Sequence, residues 1–283
     1  MKRSQLRGIG VALMVFGAAA GAQQAARQHP AAAAASSSAS NIDAVLAGGW
    51  RSPANRARDV YRHPKATLQF FGVEPDQTVV EINPSAGWYS EVLAPLLRDH
   101  GHYIAAEPRP ASGDEARRDD SRLRKKFAAD PVDYGNARIV EFDPGAPVFG
   151  PPGSADRVLT FRNVHNWTEA GTAPAMFKAF FAVLRPGGVL GVTDHRAAPG
   201  ARLAAVESSG YLPTDYVIKL ATDAGFKFTG QSEINANPKD TKDYPKGVWT
   251  LPPTLALGRQ DRAKYLAIGE SDRMTLRFVK PAH

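Results

Sequence analysis

His165 and His195 stand in two polar clusters, Arg162-Asn163-Val164-His165-Asn166-Trp167 and Asp194-His195-Arg196. An imidazole can take a proton from a bound nucleophile near neutral pH, and a carboxylate such as Asp194 can orient the ring. Histidines at such positions can equally serve to satisfy backbone groups at strand ends. No helical histidine pair and no dense carboxylate cluster accompanies them, so no metal site is expected. His100 and His102 read as residues of an exposed turn. Cysteine is absent, which excludes disulfides, thiolate metal sites and thiol catalysis together.

Each cluster follows an apolar run of strand length. Strands are expected at 78–82, 101–107, 137–143, 155–161, 189–193, 226–234 and 273–279. Helices are expected between them. One opens at Ser52-Pro53, restarts at His63-Pro64 and stops at Gly72; others cover about 88–97, 114–128, 173–184, 213–224 and 261–268. Strands alternating with helices argue for an α/β fold, a mostly parallel sheet covered on both faces. The last two strands lack an ordinary crossover helix and are better paired antiparallel. Residues 235–272 then form a long excursion between them, either a flap over a substrate or an extra packing layer.

In such a sheet ligands bind beyond the carboxyl ends of the strands. Polar residues gather at each of those ends: Glu81 with the turn Asn83-Pro84-Ser85-Ala86-Gly87, then Glu107, Asp143, the 162–167 cluster with Asn163, and Asp194-His195-Arg196. Gly87 would let backbone approach a ligand ahead of a helix N-terminus. Asn83 tolerates positive φ, and Ser85 and Ala86 are small. Glu107, about 20 residues after the turn, suits both hydroxyls of a ribose. Asp143 could accept from an adenine amino group, with Phe142 or Phe161 near the ring. Strand ends are often polar without any ligand, and that bland reading stands beside each assignment.

The order of turn, Glu107, Asp143, the 162–167 cluster and the Leu184-Arg185-Pro186-Gly187-Gly188 turn resembles the class I S-adenosylmethionine-dependent methyltransferases. The late Ala224-Gly225-Phe226 step before the sixth strand is similar too, and the resemblance covers roughly residues 53–283. Phe161 to Trp167, Asp194-His195-Arg196 and Ile268-Gly269-Glu270-Ser271-Asp272-Arg273 resemble, more narrowly, a bacterial group of predicted exported methyltransferases. The resemblance implies a Rossmann-like seven-stranded sheet, S-adenosylmethionine as cofactor and methyl transfer to an undefined acceptor. It implies cofactor contacts from Glu81, Asn83, Ser85, Gly87, Glu107, Asp143 and Asn163, and acceptor chemistry from His165, His195 and Asp194. The first turn departs from the family's acidic-x-Gly-x-Gly-x-Gly, since only its last glycine, Gly87, is present. Two rival readings are a non-catalytic exported binding protein of the same fold and a nicotinamide-dependent oxidoreductase.

The chain opens with Lys2, Arg3 and Arg7, an apolar run from Ile9 to Ala20, and the small-x-small site Ala20-Gly21-Ala22. This reads as a secretory signal peptide over 1–22, too short to span a bilayer. It implies an exported, periplasmic protein with no stable membrane anchor. Residues 23–40, mostly Ala, Gln and Ser, read as a flexible linker, and 41–283 as one methyltransferase-like domain. Removing the signal segment's three basic residues lowers the net charge from +7 to +4. That modest, dispersed charge gives nucleic-acid binding no support and leaves a small-molecule or unidentified acceptor as the expected partner.

Overall fold

The computed structural model describes residues 42–110 and 121–282. The signal-peptide and linker readings, and 114–120 of the expected charged helix, lie outside the described residues. The strands are β1 (Thr78–Ile82), β2 (His102–Pro108), β3 (Arg138–Phe142), β4 (Ala155–Phe161), β5 (Leu184–His195), β6 (Lys227–Ser232) and β7 (Arg273–Val279). They form one seven-stranded sheet in the order β3-β2-β1-β4-β5-β7-β6. β1 to β5 run parallel. β7 enters antiparallel between β5 and β6, as the sequence implied. The strand order reverses between β1 and β4, so the crevice beyond their carboxyl ends is the topological switch point.

The helices of more than one turn include α1 (Pro64–Phe70), α2 (Ser90–Leu97), α3 (Arg122–Ala129), α4 (Val164–Glu169), α5 (Ala173–Val183), α6 (Thr214–Asp223) and α7 (Arg262–Ile268). Alternate strand residues serve opposite faces. Val80, Ile82 and Val158 pack with Phe177, Phe180 and Val217 from α5 and α6. Val79, Tyr103 and Leu159 pack with Leu68 of α1 and Leu93 of α2. β1 is therefore buried on both sides, which is why it reads as a nearly unbroken apolar run.

The stretch expected as a restarted helix over 53–71 is broken into three pieces: Pro53–Arg56, Asp59–Arg62 and α1. Ser52 Oγ caps the first, accepting the Asn55 N–H at 3.2 Å. His63, at φ +40, turns the chain so that Pro64 can begin α1. These breaks carry Arg58 and Arg62 back over the end of β1. A second difference lies at 162–167, read as an irregular strand end. Here α4 begins at once, because Val164 and Trp167, three apart, both bury their side chains.

The 235–272 excursion is folded against the sheet edge. Tyr211 Oη donates to both Asp240 carboxylate oxygens, at 2.9 and 3.0 Å. Asp240 in turn accepts the Asp272 N–H at 2.7 Å. Asn237 Nδ2 donates to the carbonyls of Ile268 and Glu270. Val248, in the 3-10 turn Gly247–Thr250, joins Ala197 and Tyr211 in a small apolar cluster of its own.

Candidate active site

Two cavities meet at the switch point. The first, about 190 Å³, has Arg162, His165, His195, Glu270 and Ser271 among its polar lining residues. Val248, Trp249 and Pro252 line it as well, so the excursion between β6 and β7 roofs the histidines. β5 delivers Asp194 fully buried. Its carboxylate accepts the backbone N–H of His195 at 2.7 Å and that of His165 at 3.3 Å. It also holds His165 Nδ1 at 2.8 Å. A carboxylate only accepts, so Nδ1 carries the hydrogen, and in the neutral ring Nε2 is the acceptor. His195 Nδ1 meets Ser271 Oγ at 2.6 Å. Burial holds the His195 imidazolium well below its usual range, and His165 and the guanidiniums of Arg162, Arg273 and Arg62 add to this.

His165, Asp194 and His195 place ligating atoms within 4.8 Å of one another, the one such trio among the described residues. The sequence showed no metal pattern, since these groups come from two separate segments. Both Nδ1 atoms are engaged, and nearby arginines oppose a cation, so the trio reads better as an oriented base than as a metal centre.

The second cavity, about 120 Å³, lies over the end of β1. Its lining includes Asn83, Ser85 and Ala86 of the turn, the rings of Tyr89 and Phe161, and Arg58 and Arg62. Asn83 and Ser85 stand at φ +50 and +57, so the turn takes the left-handed shape that glycines usually supply. Asn83 Oδ1, Arg58 Nη2 and Arg62 Nη2 are buried without a hydrogen-bond partner. Glu81 accepts from Tyr103 Oη at 2.5 Å and from Ser90 Oγ at 3.3 Å. Burial raises its pKa to about 7, even against those two donors.

The remaining expected residues are placed differently. Gly87 does not line the cavity; its φ of +74, in the left-handed region, is what favours glycine there. Glu107 ends β2 but faces α3, accepting from Ser121 Oγ at 3.0 and 3.2 Å. Burial raises its pKa. Asp143 is exposed and folds back on the Gly145 N–H at 2.8 Å. Asn163 ties strand ends together, donating to the Ile82 carbonyl and Thr160 Oγ1. Arg58 and Arg62 were not singled out from sequence, and Arg162 and Glu270 stood in quoted segments without a role of their own. Glu270 accepts from Arg58 Nε at 2.6 Å, Arg62 Nε at 3.3 Å and Arg273 Nη2 at 3.0 Å. Burial alone would raise Glu270, but the guanidiniums outweigh it and hold it near 2.

No protein-family profile and no curated protein matches the sequence. Solved structures do match. An S-adenosylmethionine-dependent methyltransferase from Aquifex aeolicus superposes with a TM-score of 0.52 at 14% identity, over 86% of this chain and 98% of that one. A protein assigned as a sarcosine dimethylglycine methyltransferase from Galdieria sulphuraria gives 0.54 at 13% identity, over 81% and 85%. The chain has the class I methyltransferase fold. The [4+2]-cyclase SpnF matches as well, with a TM-score of 0.53 at 14% identity over 78% of this chain and 82% of its own. The fold therefore fixes where a ligand sits, and the site must decide the reaction. A larger hollow of about 770 Å³ lies beside Arg196 and Pro213, but it holds no histidine, and its Arg196 and Asp272 are already paired.

Proposed function

We propose that the chain is an S-adenosylmethionine-dependent methyltransferase acting on a small molecule after export to the periplasm. The observation that carries this reading is the set of unpartnered atoms at the end of β1. Asn83 Oδ1 offers an acceptor, and the Arg58 and Arg62 Nη2 groups offer donors, around one small cavity. That complements an amino-acid head group, with the ammonium at Asn83 and the carboxylate at the arginines. The cofactor would supply a methyl group on a cationic sulfur. His165, oriented by Asp194, faces the adjoining cavity and would take the proton that the acceptor loses. The two cavities share Arg162, which puts acceptor and cofactor side by side, as direct transfer requires.

Calorimetry with S-adenosylhomocysteine tests the cofactor half. Asn83→Gly keeps the left-handed backbone and deletes the amide, so affinity should fall about 10- to 150-fold, the worth of a hydrogen bond to a charged group. With an acceptor found by screening extracts with methyl-labelled cofactor, His165→Asn should keep cofactor affinity and slow transfer by about 10²–10⁴. Unchanged transfer removes His165 as the base. One observation favours the non-catalytic binding protein instead: Glu107 already accepts from Ser121 and lies 3.9 Å from Arg124, and so is not held out for a ribose. No detectable S-adenosylhomocysteine binding by the folded protein would support that reading.

A further inference from the structure

Arg162 sits in the left-handed region, at φ +62, on the link between β4 and α4. Its backbone N–H is fixed to the Thr193 carbonyl at 2.7 Å. The side chain forms part of the wall between the two cavities. Among the described residues its guanidinium makes no ion pair and no hydrogen bond, although five N–H donors are available to it. Three neighbouring arginines, Arg58, Arg62 and Arg273, are satisfied in part by the single carboxylate of Glu270. Of the other carboxyls close by, Asp194 is committed to His165, and Glu81 to Tyr103 and Ser90. Four guanidiniums thus meet one carboxylate free to serve them, and Arg162 is the one left over. Its pKa is pushed down to about 10, first by burial and then by Arg273. Its side chain is half-buried and opens onto both cavities, so its donors can be reached by a ligand, and a bound counter-charge would stabilise the folded chain by linkage.

We propose that the cavity beside the histidines takes a ligand bearing an oxyanion, a carboxylate or a phosphate, and that Arg162 is the partner of that group. The inference rests on the methyltransferase reading only in calling this ligand the methyl acceptor. Val248, Trp249 and Pro252 also line this mostly polar cavity and would contact whatever apolar part the ligand has. A guanidinium matches either oxyanion with two parallel hydrogen bonds. The positive surroundings that favour an anion here are the same ones that disfavour a cation at His165 and His195.

The test is calorimetry with benzoate and with inorganic phosphate, each with and without saturating S-adenosylhomocysteine. The parent should bind at least one of the two in both conditions, and the preferred one assigns the carboxylate or phosphate. Arg162→Met, which keeps a flexible unbranched side chain at the left-handed position, should weaken that binding about 10- to 150-fold. Arg162→Lys should recover part of it. In buffer free of oxyanions the Met variant should melt within a few degrees of the parent, because the guanidinium has no hydrogen-bonded partner to lose. No anion binding by the parent, or equal binding by the Met variant, overturns the proposal whether or not S-adenosylhomocysteine binds. Melting several degrees below the parent makes Arg162 a structural prop and overturns it as well. Loss of anion binding on adding S-adenosylhomocysteine assigns the arginines to the cofactor's own carboxylate, and the proposal falls in that case too. Retained anion binding with no detectable S-adenosylhomocysteine binding leaves the anion site standing and sinks the cofactor reading instead.

Discussion

Glu81 is the residue whose behaviour follows most directly from its surroundings. Its pKa is about 7 in the folded chain against 4.5 when free, chiefly through burial. The folded chain therefore keeps a proton that the unfolded chain releases above about pH 4.5. The stabilising contribution is full below that pH and is lost as pH rises through 7. The shift corresponds to about 3 kcal/mol. Melting temperature against pH should thus fall less steeply from pH 5 to 8 in Glu81→Gln than in the parent. His195, whose folded pKa is depressed, pulls the other way, its contribution returning as pH rises past 6.5. It is present in both proteins, so the difference between the two profiles isolates Glu81; parallel profiles would place its pKa near the free value. The sequence showed His165, Asp194 and His195 as candidates because each follows an apolar run at the sheet's ligand-binding edge. It did not show Arg58 and Arg62, because an arginine in a polar helix reads as solvated, and it gave Arg162 no role within its cluster. Only the return of the chain at Glu270, more than two hundred residues later, draws Arg58 and Arg62 inward.

At the scale of elements, the strands were legible to within a residue or two at most ends, since runs such as Thr78–Ile82 and Ala155–Phe161 have one structural use. β5 is the exception, starting at Leu184 and not near 189, through a register shift against β4. A Leu-Arg-Pro-Gly-Gly segment reads as a turn because nothing local reveals that Ala155 pairs with Leu184. Gly191 in the same strand shows how tightly the sheet and α1 fit. A Cβ there would lie 2.6 Å from Phe71 Cγ and 2.8 Å from Leu159 Cδ2. Gly191→Ala should therefore destabilise by about 1–3 kcal/mol, as overpacked cores do. For a domain of this size that lowers the melting temperature by roughly 2–12 °C. Adding Phe71→Leu should give back part of the loss, since neighbouring sites are not additive. Full additivity would mean the strain is relieved elsewhere than at the Phe71 ring.

At the scale of the whole molecule, no helix among the described residues is long and apolar enough to cross a membrane. The export reading rests on residues 1–22 alone. Intact mass of the protein recovered from the periplasm should match a chain beginning at Gln23; full-length chain in the membrane fraction would overturn it. The position of β7 bears on how such a chain matures. β6 has no neighbour but β7, and Ser271 and Glu270 precede β7 immediately, so one late segment finishes the sheet and furnishes the site. A chain delivered N-terminus first carries Arg58 and Arg62 without their carboxylate, and His195 without its hydroxyl partner, until that segment arrives. The pocket is therefore complete only once Glu270 and Ser271 have joined the residues that the earlier strands contribute.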